Sequence, residues 1–242
     1  MKLLTITGVG PGDPSLLTLA AVQAIQESTV VSYPVSILGG ESLAEKIASK
    51  WITKDKKKLP LYFPMVDDAK ALKSSWKLAG NHLINMIENG ERVVFLSQGD
   101  ISLFSTGSYL LKELEKYYPD CNIKLIPGVT SFSAAAAISK LPLAFQNEQF
   151  LVVPVPHSRK ELKIILSEAA LMKRVVVLLK LGKNWTWVQP LLKELNLLES
   201  SIFAERVGFS DQQIFRATDL SSKSRQYFSL LLIRQSWPLV MP

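Results

Sequence analysis

A single cysteine, Cys121, excludes an internal disulfide and any metal cage built from thiolates alone. The two histidines, His82 and His157, stand far apart, and no cluster of His, Cys and carboxylates has the spacing of a metal site. Apolar runs are short: none approaches the roughly 18 residues of a membrane span. Val175-Val176-Val177-Leu178-Leu179 stops at Lys180 and reads as a buried strand. The opening Met1-Lys2-Leu3-Leu4-Thr5-Ile6-Thr7 runs as a strand into glycines without a cleavage region of the signal-peptide kind, so the cytoplasm is the expected compartment.

What is present is an ordinary globular balance of 48% hydrophobic and 20% charged residues over 242 positions, enough for one large or two medium domains. The net charge of +7 suits an acidic small molecule as well as nucleic acid or an anionic membrane. The densest basic run, Lys54 to Lys58, contains Asp55 and no aromatic residue, which reads as a solvated loop.

Short β-type runs alternate with helical patterns, the signature of α/β units with mostly parallel strands. Strands are expected over 2–7, 29–32, 59–63, 92–97 and 122–126. Helices are expected over 16–27, 43–51, 69–88, 107–118 and 131–139. Asn89-Gly90 is a helix stop. Leu141-Pro142-Leu143-Ala144-Phe145-Gln146-Asn147 interrupts the pattern, which places a boundary between domains of residues 1–140 and 141–242. Strands over 150–153, 174–179 and 202–205 and helices over 159–170 and 185–195 follow, with antiparallel strands over 213–217 and 227–233. Two α/β domains forming a cleft, the second with a more antiparallel sheet, is the expected fold.

Gly8-Val9-Gly10-Pro11-Gly12-Asp13-Pro14 joins the first strand to the first helix. Its glycines permit a tight turn and close backbone approach; Asp13 and Pro14 suit a helix cap and first helical residue. A phosphate-binding P-loop would end in Gly-Lys-Ser/Thr, but Asp13-Pro14-Ser15 has no lysine. A dinucleotide site would place an acid after strand two, where Val31-Ser32-Tyr33-Pro34 has none. The loop either contacts another ligand or merely turns. A second candidate is the polar loop after the strand ending at Ser97, from Gln98 to Thr106, since ligands of open α/β sheets sit beyond the carboxyl ends of strands.

Four motifs in order resemble those of the tetrapyrrole methylases: Val9-Gly10-Pro11-Gly12-Asp13-Pro14, Gly99-Asp100, Ile126-Pro127-Gly128-Val129-Thr130-Ser131 and Ala204-Glu205-Arg206-Val207-Gly208. Phe63-Pro64-Met65 before an acidic pair, Leu103-Phe104-Ser105-Thr106 and the 127–137 stretch are similar to the branch that methylates precorrin-2 at C-20. Ile101 stands where the family usually has proline, and Gln98 where this branch often has an acid.

The resemblance implies methyl transfer from S-adenosylmethionine to a carbon of precorrin-2, with or without cobalt, or to another ring position of a tetrapyrrole. Such a displacement demands positioning of two reactants more than an activated leaving group, in keeping with a chain that shows no catalytic triad. It further implies cofactor contacts from Pro11, Gln98, Gly99, Asp100, Leu103, Thr130 and Ser131, with Lys180 and Val207 on the adenosine side. Carboxylate clamps for the substrate are assigned to Arg206, Arg216 and Lys183, and no catalytic base is assigned. No protein-bound metal, nucleic acid or membrane partner is expected, and a homodimer is.

Overall fold

The computed structural model describes residues 3–66 and 68–235. Lys2, assigned to the first strand, and Asp67, first of the acidic pair after Met65, lie outside the described residues. The chain divides into two compact units, one running to Thr130 and one beginning at Ser131.

In the first unit β1 (Leu3–Gly8), β2 (Val30–Val35), β3 (Lys57–Tyr62), β4 (Val93–Ser97) and β5 (Asn122–Ile126) form one sheet in the order β3-β2-β4-β1-β5, every pair parallel. Parallel neighbours require crossovers, and α1 (Leu19–Glu27), α2 (Leu43–Ala48), α3 (Ala69–Glu88) and α4 (Thr106–Tyr117) lie in them. Strands covered on both faces read as continuous apolar runs, which is why β4 is buried along its whole length and β1 from Leu4 onward.

The helix expected over 69–88 has those bounds because both ends are signalled. The Asp68 carboxylate accepts from Lys70 N at 2.9 Å, and Asn89 closes the helix ahead of Gly90, whose φ is 84°. Its buried stripe of Ala79, Leu83, Ile84 and Ile87 joins Leu4, Ile6, Phe95, Leu110 and Leu114 in the core. Each fully buried leucine there contributes about 1.5–3 kcal/mol of transfer free energy.

The helix expected over 16–27 is corrected. Pro14–Leu16 is a separate 3-10 turn capped by Asp13, Leu17 is extended, and Thr18 starts α1 by accepting from Ala21 N. Two caps in succession make two elements where the apolar spacing suggested one. Similarly, 43–51 divides into α2 and a 3-10 turn over Ser49–Trp51.

In the basic run Lys54, Lys57 and Lys58 are exposed and Lys56 is half-buried, and Lys56, Lys57 and Lys58 have partners. Lys56 Nζ donates to the carbonyls of Gln26 (2.8 Å) and Ser28 (2.6 Å), Lys57 pairs with Glu91, and Lys58 pairs with Glu45 at 2.6 Å.

In the second unit β6 (Phe150–Pro154), β7 (Val175–Leu179), β8 (Ser201–Glu205), β9 (Gln213–Arg216) and β10 (Ser229–Ile233) pair in the order β6-β7-β10-β8-β9. Only β6 and β7 are parallel to each other; β10 runs antiparallel to both of its neighbours. The helices are α5 (Ser131–Ser139), α6 (Arg159–Leu171) and α7 (Trp185–Glu194). Trp185 is fully buried, lies 4.8 Å from the Phe203 ring and donates its indole N–H to Ser221 O at 3.0 Å. One parallel and one largely antiparallel α/β unit match the expected fold class.

Residues 142–148, where the sequence pattern breaks, are held within the second unit. The buried Arg234 guanidinium donates to the carbonyls of Pro142 (3.1 Å) and Leu143 (3.3 Å) and to both oxygens of Glu148 (2.8 and 2.7 Å). Among the described residues no helix is long and apolar enough to cross a membrane, and no group of His, Cys, Asp and Glu is arranged to hold a metal ion.

Candidate functional site

β4, β1 and β5 are neighbours, so the loops leaving their carboxyl ends meet at one edge of the first sheet. Their contact is made of glycine. A Cβ on Gly8 would lie 2.5 Å from Gly99 O and 2.7 Å from Gly128 N, and one on Gly128 would overlap the same Gly99 oxygen. Gly10 and Gly99 have φ of 79° and 72° and bond each other reciprocally, N to O, at 3.2 and 2.8 Å. At Gly10 and Gly99 the left-handed backbone favours glycine, while the close approach of the loops excludes a Cβ at Gly8 and Gly128.

These bonds decide what the loops can bind. Val9 N donates to Ser97 O, Gly10 N to Gly99 O, Gly99 N to Gly10 O and Gly128 N to Asp100. A phosphate cradle needs several free N–H groups converging on the anion, and these four point into neighbouring loops. The glycines let loops approach one another.

Asp100 is the tie. It is 9% exposed; one carboxylate oxygen accepts from Gly128 N at 2.9 Å, the other from Ser102 N at 2.9 Å and from the Ser102 hydroxyl. Burial by itself would raise this carboxyl. The Ser102 hydroxyl and the N–H groups of Gly128, Ser102 and Ile101 outweigh it and hold the group below the usual carboxylate range. Both oxygens are therefore engaged inside the loops. Ile101 is buried in the core beside them, and its carbonyl accepts from the hydroxyls of Ser105 (2.6 Å) and Ser108 (2.5 Å).

The remaining sequence-assigned residues of this unit fall around that tie. Pro11 is buried, and its carbonyl accepts from Gln98 Nε2 at 3.3 Å, joining the first loop to the second. Beyond the Cβ direction of Gly99 there is open space for 4 Å. Leu103 and Phe104 are 40% and 44% exposed on the same loop, and Phe104 has a φ of 52°. Thr130, half-buried, ends the third loop. Half-buried Ser131, in the second unit, begins α5.

In the second unit, Lys180 follows β7 and Arg206 follows β8, both with left-handed backbone at φ 60° and 51°. Val207 is buried. Arg206, assigned as a clamp, pairs with Asp211 at 2.6 Å and lies 4.5 Å from the Phe209 ring. Lys183 and Arg216 are exposed.

Sequence reasoning missed Glu205 and Arg225 as a pair. Glu205 is 5% exposed, and its carboxylate accepts from Arg225 Nη2 and Gln226 N, each at 2.7 Å. Nothing in a single sequence couples charges that far apart on a loop.

A groove of about 520 Å³ opens at the opposite edge of the first sheet, bordered by Thr5, Gln23, Glu27, Arg92 and Lys124. It contains none of the assigned residues and lies away from the carboxyl strand ends, where α/β sheets gather ligands.

The fold and the loops define a two-unit α/β protein of the kind formed by tetrapyrrole methyltransferases. Uroporphyrin-III C-methyltransferase from Thermus thermophilus, solved in complex with S-adenosylhomocysteine, superposes with a TM-score of 0.64 at 21% identity, covering 95% of this chain and 96% of that one. The chain belongs to the family described as Tetrapyrrole (Corrin/Porphyrin) Methylases, whose model matches residues 3–220. It is 28% identical over 230 residues to the cobalt-precorrin-2 C(20)-methyltransferase of Salmonella typhimurium, covering 94% of each. It is 25% identical over 234 residues to the precorrin-2 C(20)-methyltransferase of Sinorhizobium sp, covering 93% of this chain and 92% of that protein.

Proposed function

We propose that this chain is an S-adenosylmethionine-dependent C-methyltransferase acting on C-20 of precorrin-2 or of its cobalt-containing counterpart. The observation that carries the cofactor reading is the glycine contact of the three loops, which builds a ligand edge at the carboxyl end of a parallel sheet while its N–H groups are already bonded. Such an edge favours a ligand without phosphates. The C-20 assignment rests on near full-length similarity to two proteins bearing that name.

When bound, the cofactor supplies a methyl group on a sulfonium centre. In the first unit, Pro11, Gln98, Gly99 and Leu103 border it, with Thr130 at the end of the third loop. Asp100 acts at one remove, holding the second and third loops together. In the second unit, Ser131 offers a hydroxyl and Lys180 and Val207 take the adenosine side. Lys183 and Arg216, exposed cations, meet substrate carboxylates by charge-assisted hydrogen bonds. The chain's contribution to rate is orientation of the two reactants.

The test is incubation with methyl-labelled cofactor and precorrin-2, with and without inserted cobalt, followed by mapping of the label on the ring. Label at C-20 is expected. Cofactor binding without transfer to either tetrapyrrole rejects the proposal, and label at another carbon keeps the methyltransferase and rejects the ring position.

A further inference from the structure

The second unit carries a device that neither the family match nor the relatives' names assign. Three segments meet at one edge of its sheet: 180–182 after β7, 206–208 after β8, and 225–229, which leads into β10 and ends on its first residue. The third acts as a strap across the other two. Its Ser229 O accepts from Leu181 N at 3.2 Å, its Ser229 hydroxyl from Gly182 N at 3.0 Å, and its Phe228 O from Arg206 N at 2.8 Å.

The strap is fastened at its start. Arg225 N donates to Gly182 O at 3.3 Å, while Arg225 Nη2 and Gln226 N converge on the two oxygens of buried Glu205. The guanidinium carbon of Arg225 lies 5.4 Å from the Phe203 ring and 5.5 Å from the Phe215 ring, so aromatic faces fix its plane. The strapped loops contain Lys180 and Arg206, non-glycine residues in left-handed backbone. Such conformations persist where the surrounding structure over-determines them, and the strap provides that constraint for both.

We infer that Glu205 and Arg225 are positioning residues for cofactor binding: their ion pair holds the 225–229 strap, and the strap holds the Lys180–Gly182 and Arg206–Gly208 turns in their binding shape. The inference rests on the reading of Lys180 and Val207 as adenosine-side contacts. Neither Glu205 nor Arg225 touches the cofactor in this scheme.

The test compares wild type with Glu205→Gln, Arg225→Met and the double variant. Glu205→Gln keeps the acceptor for Gln226 N and removes the charge. Dissociation constants for S-adenosylhomocysteine are measured by calorimetry, together with kcat and KM and amide hydrogen exchange at Leu181, Gly182 and Arg206. Each single variant is expected to weaken binding and raise the cofactor KM about tenfold, a larger effect than on kcat, because the displaced turns are read as contacts on the adenosine side and not at the reacting methyl group. Exchange at the three amides rises, and the double variant is no worse than the poorer single one.

Should Glu205→Gln fail to fold, Arg225→Lys carries the same test, since it retains charge but loses the planar fork. Folded variants with unchanged affinity overturn the inference, as does faster exchange confined to other segments. If wild type itself fails to bind S-adenosylhomocysteine, the methyltransferase reading fails; if wild type binds and the variants bind equally well, only the strap inference fails.

Discussion

The carboxylate of Asp100 lies 2.9 Å from the backbone nitrogen of Gly128, so this side chain fastens the loop after β4 to the loop after β5. The same carboxylate closes its own loop through Ser102. Replacing Asp100 with asparagine keeps the shape but removes the charge from these bonds. Hydrogen bonds to a charged group contribute about 1.5–3 kcal/mol, and a loss of that order is expected in urea unfolding at neutral pH. The pH dependence has a definite sign. The folded Asp100 carboxyl sits below its ordinary value, so its contribution is present above the unfolded pKa and disappears as pH falls through the folded one. Wild type and Asp100→Asn should converge in stability in strong acid; a difference that persists there contradicts this account.

Gly128→Ala tests the steric contact. The added methyl would overlap Gly99 O, a backbone atom that cannot swing aside. Overpacking of this kind costs about 1–3 kcal/mol. A fall in melting temperature together with weaker S-adenosylhomocysteine binding is expected. Gly39→Ala is a useful contrast, because no atom lies near its Cβ direction and any cost there comes from its φ of 75° alone. A Gly128→Ala protein as stable as wild type removes the contact from the explanation.

The side chain of Ile101, the residue after Asp100, is in the core. Ile101→Ala should therefore destabilise the first unit by about 2–4 kcal/mol, the usual cost of truncating a buried aliphatic side chain. Chemical denaturation followed by tryptophan fluorescence measures it. A loss below about 0.5 kcal/mol would show that the site collapses without penalty.

The three assigned cations separate by their partners. Arg206 is paired with Asp211, whereas Lys183 and Arg216 are exposed. Lys183→Ala and Arg216→Ala should weaken tetrapyrrole binding and leave the S-adenosylhomocysteine dissociation constant unchanged. Arg206→Ala should instead disturb its own turn and the cofactor side. Fluorescence titration of the tetrapyrrole and calorimetry of the cofactor distinguish the outcomes. Unchanged tetrapyrrole affinity in both Lys183→Ala and Arg216→Ala would discard the clamp assignment.

Local signals were readable wherever one element carried its own start and stop. The bounds of α3 follow from Asp68 and Asn89-Gly90, and α4 stops ahead of Pro119, which cannot continue a helix. α1 was misread because Leu16, Leu19 and Val22 keep helical spacing across Leu17, an extended residue that interrupts the helix. The sequence singles out the glycine turn after β1 and the polar loop after β4, and the 126–131 loop only through its resemblance to a family motif. What those glycines do was not readable: that Gly8, Gly99 and Gly128 serve one another is a fact of strand order. Likewise Glu205 lay inside a recognised motif, but its partner Arg225 and the Arg206–Asp211 pair depend on how two turns fold back.

The central place of β10 bears on the order in which the protein can be made. β10 lies between β7 and β8, yet it is the last strand of the described chain. The first unit has all five of its strands once residue 126 is synthesised. The second has no complete sheet until residue 233 has emerged, because until then β7 and β8 lack the strand that joins them. At roughly 5–20 residues per second this leaves several seconds in which a finished amino-terminal half is tethered to a carboxyl-terminal one whose strand pairs β6–β7 and β8–β9 are still unjoined. Apolar strand edges stay open throughout that interval, so chaperone demand during translation should concentrate on the second half.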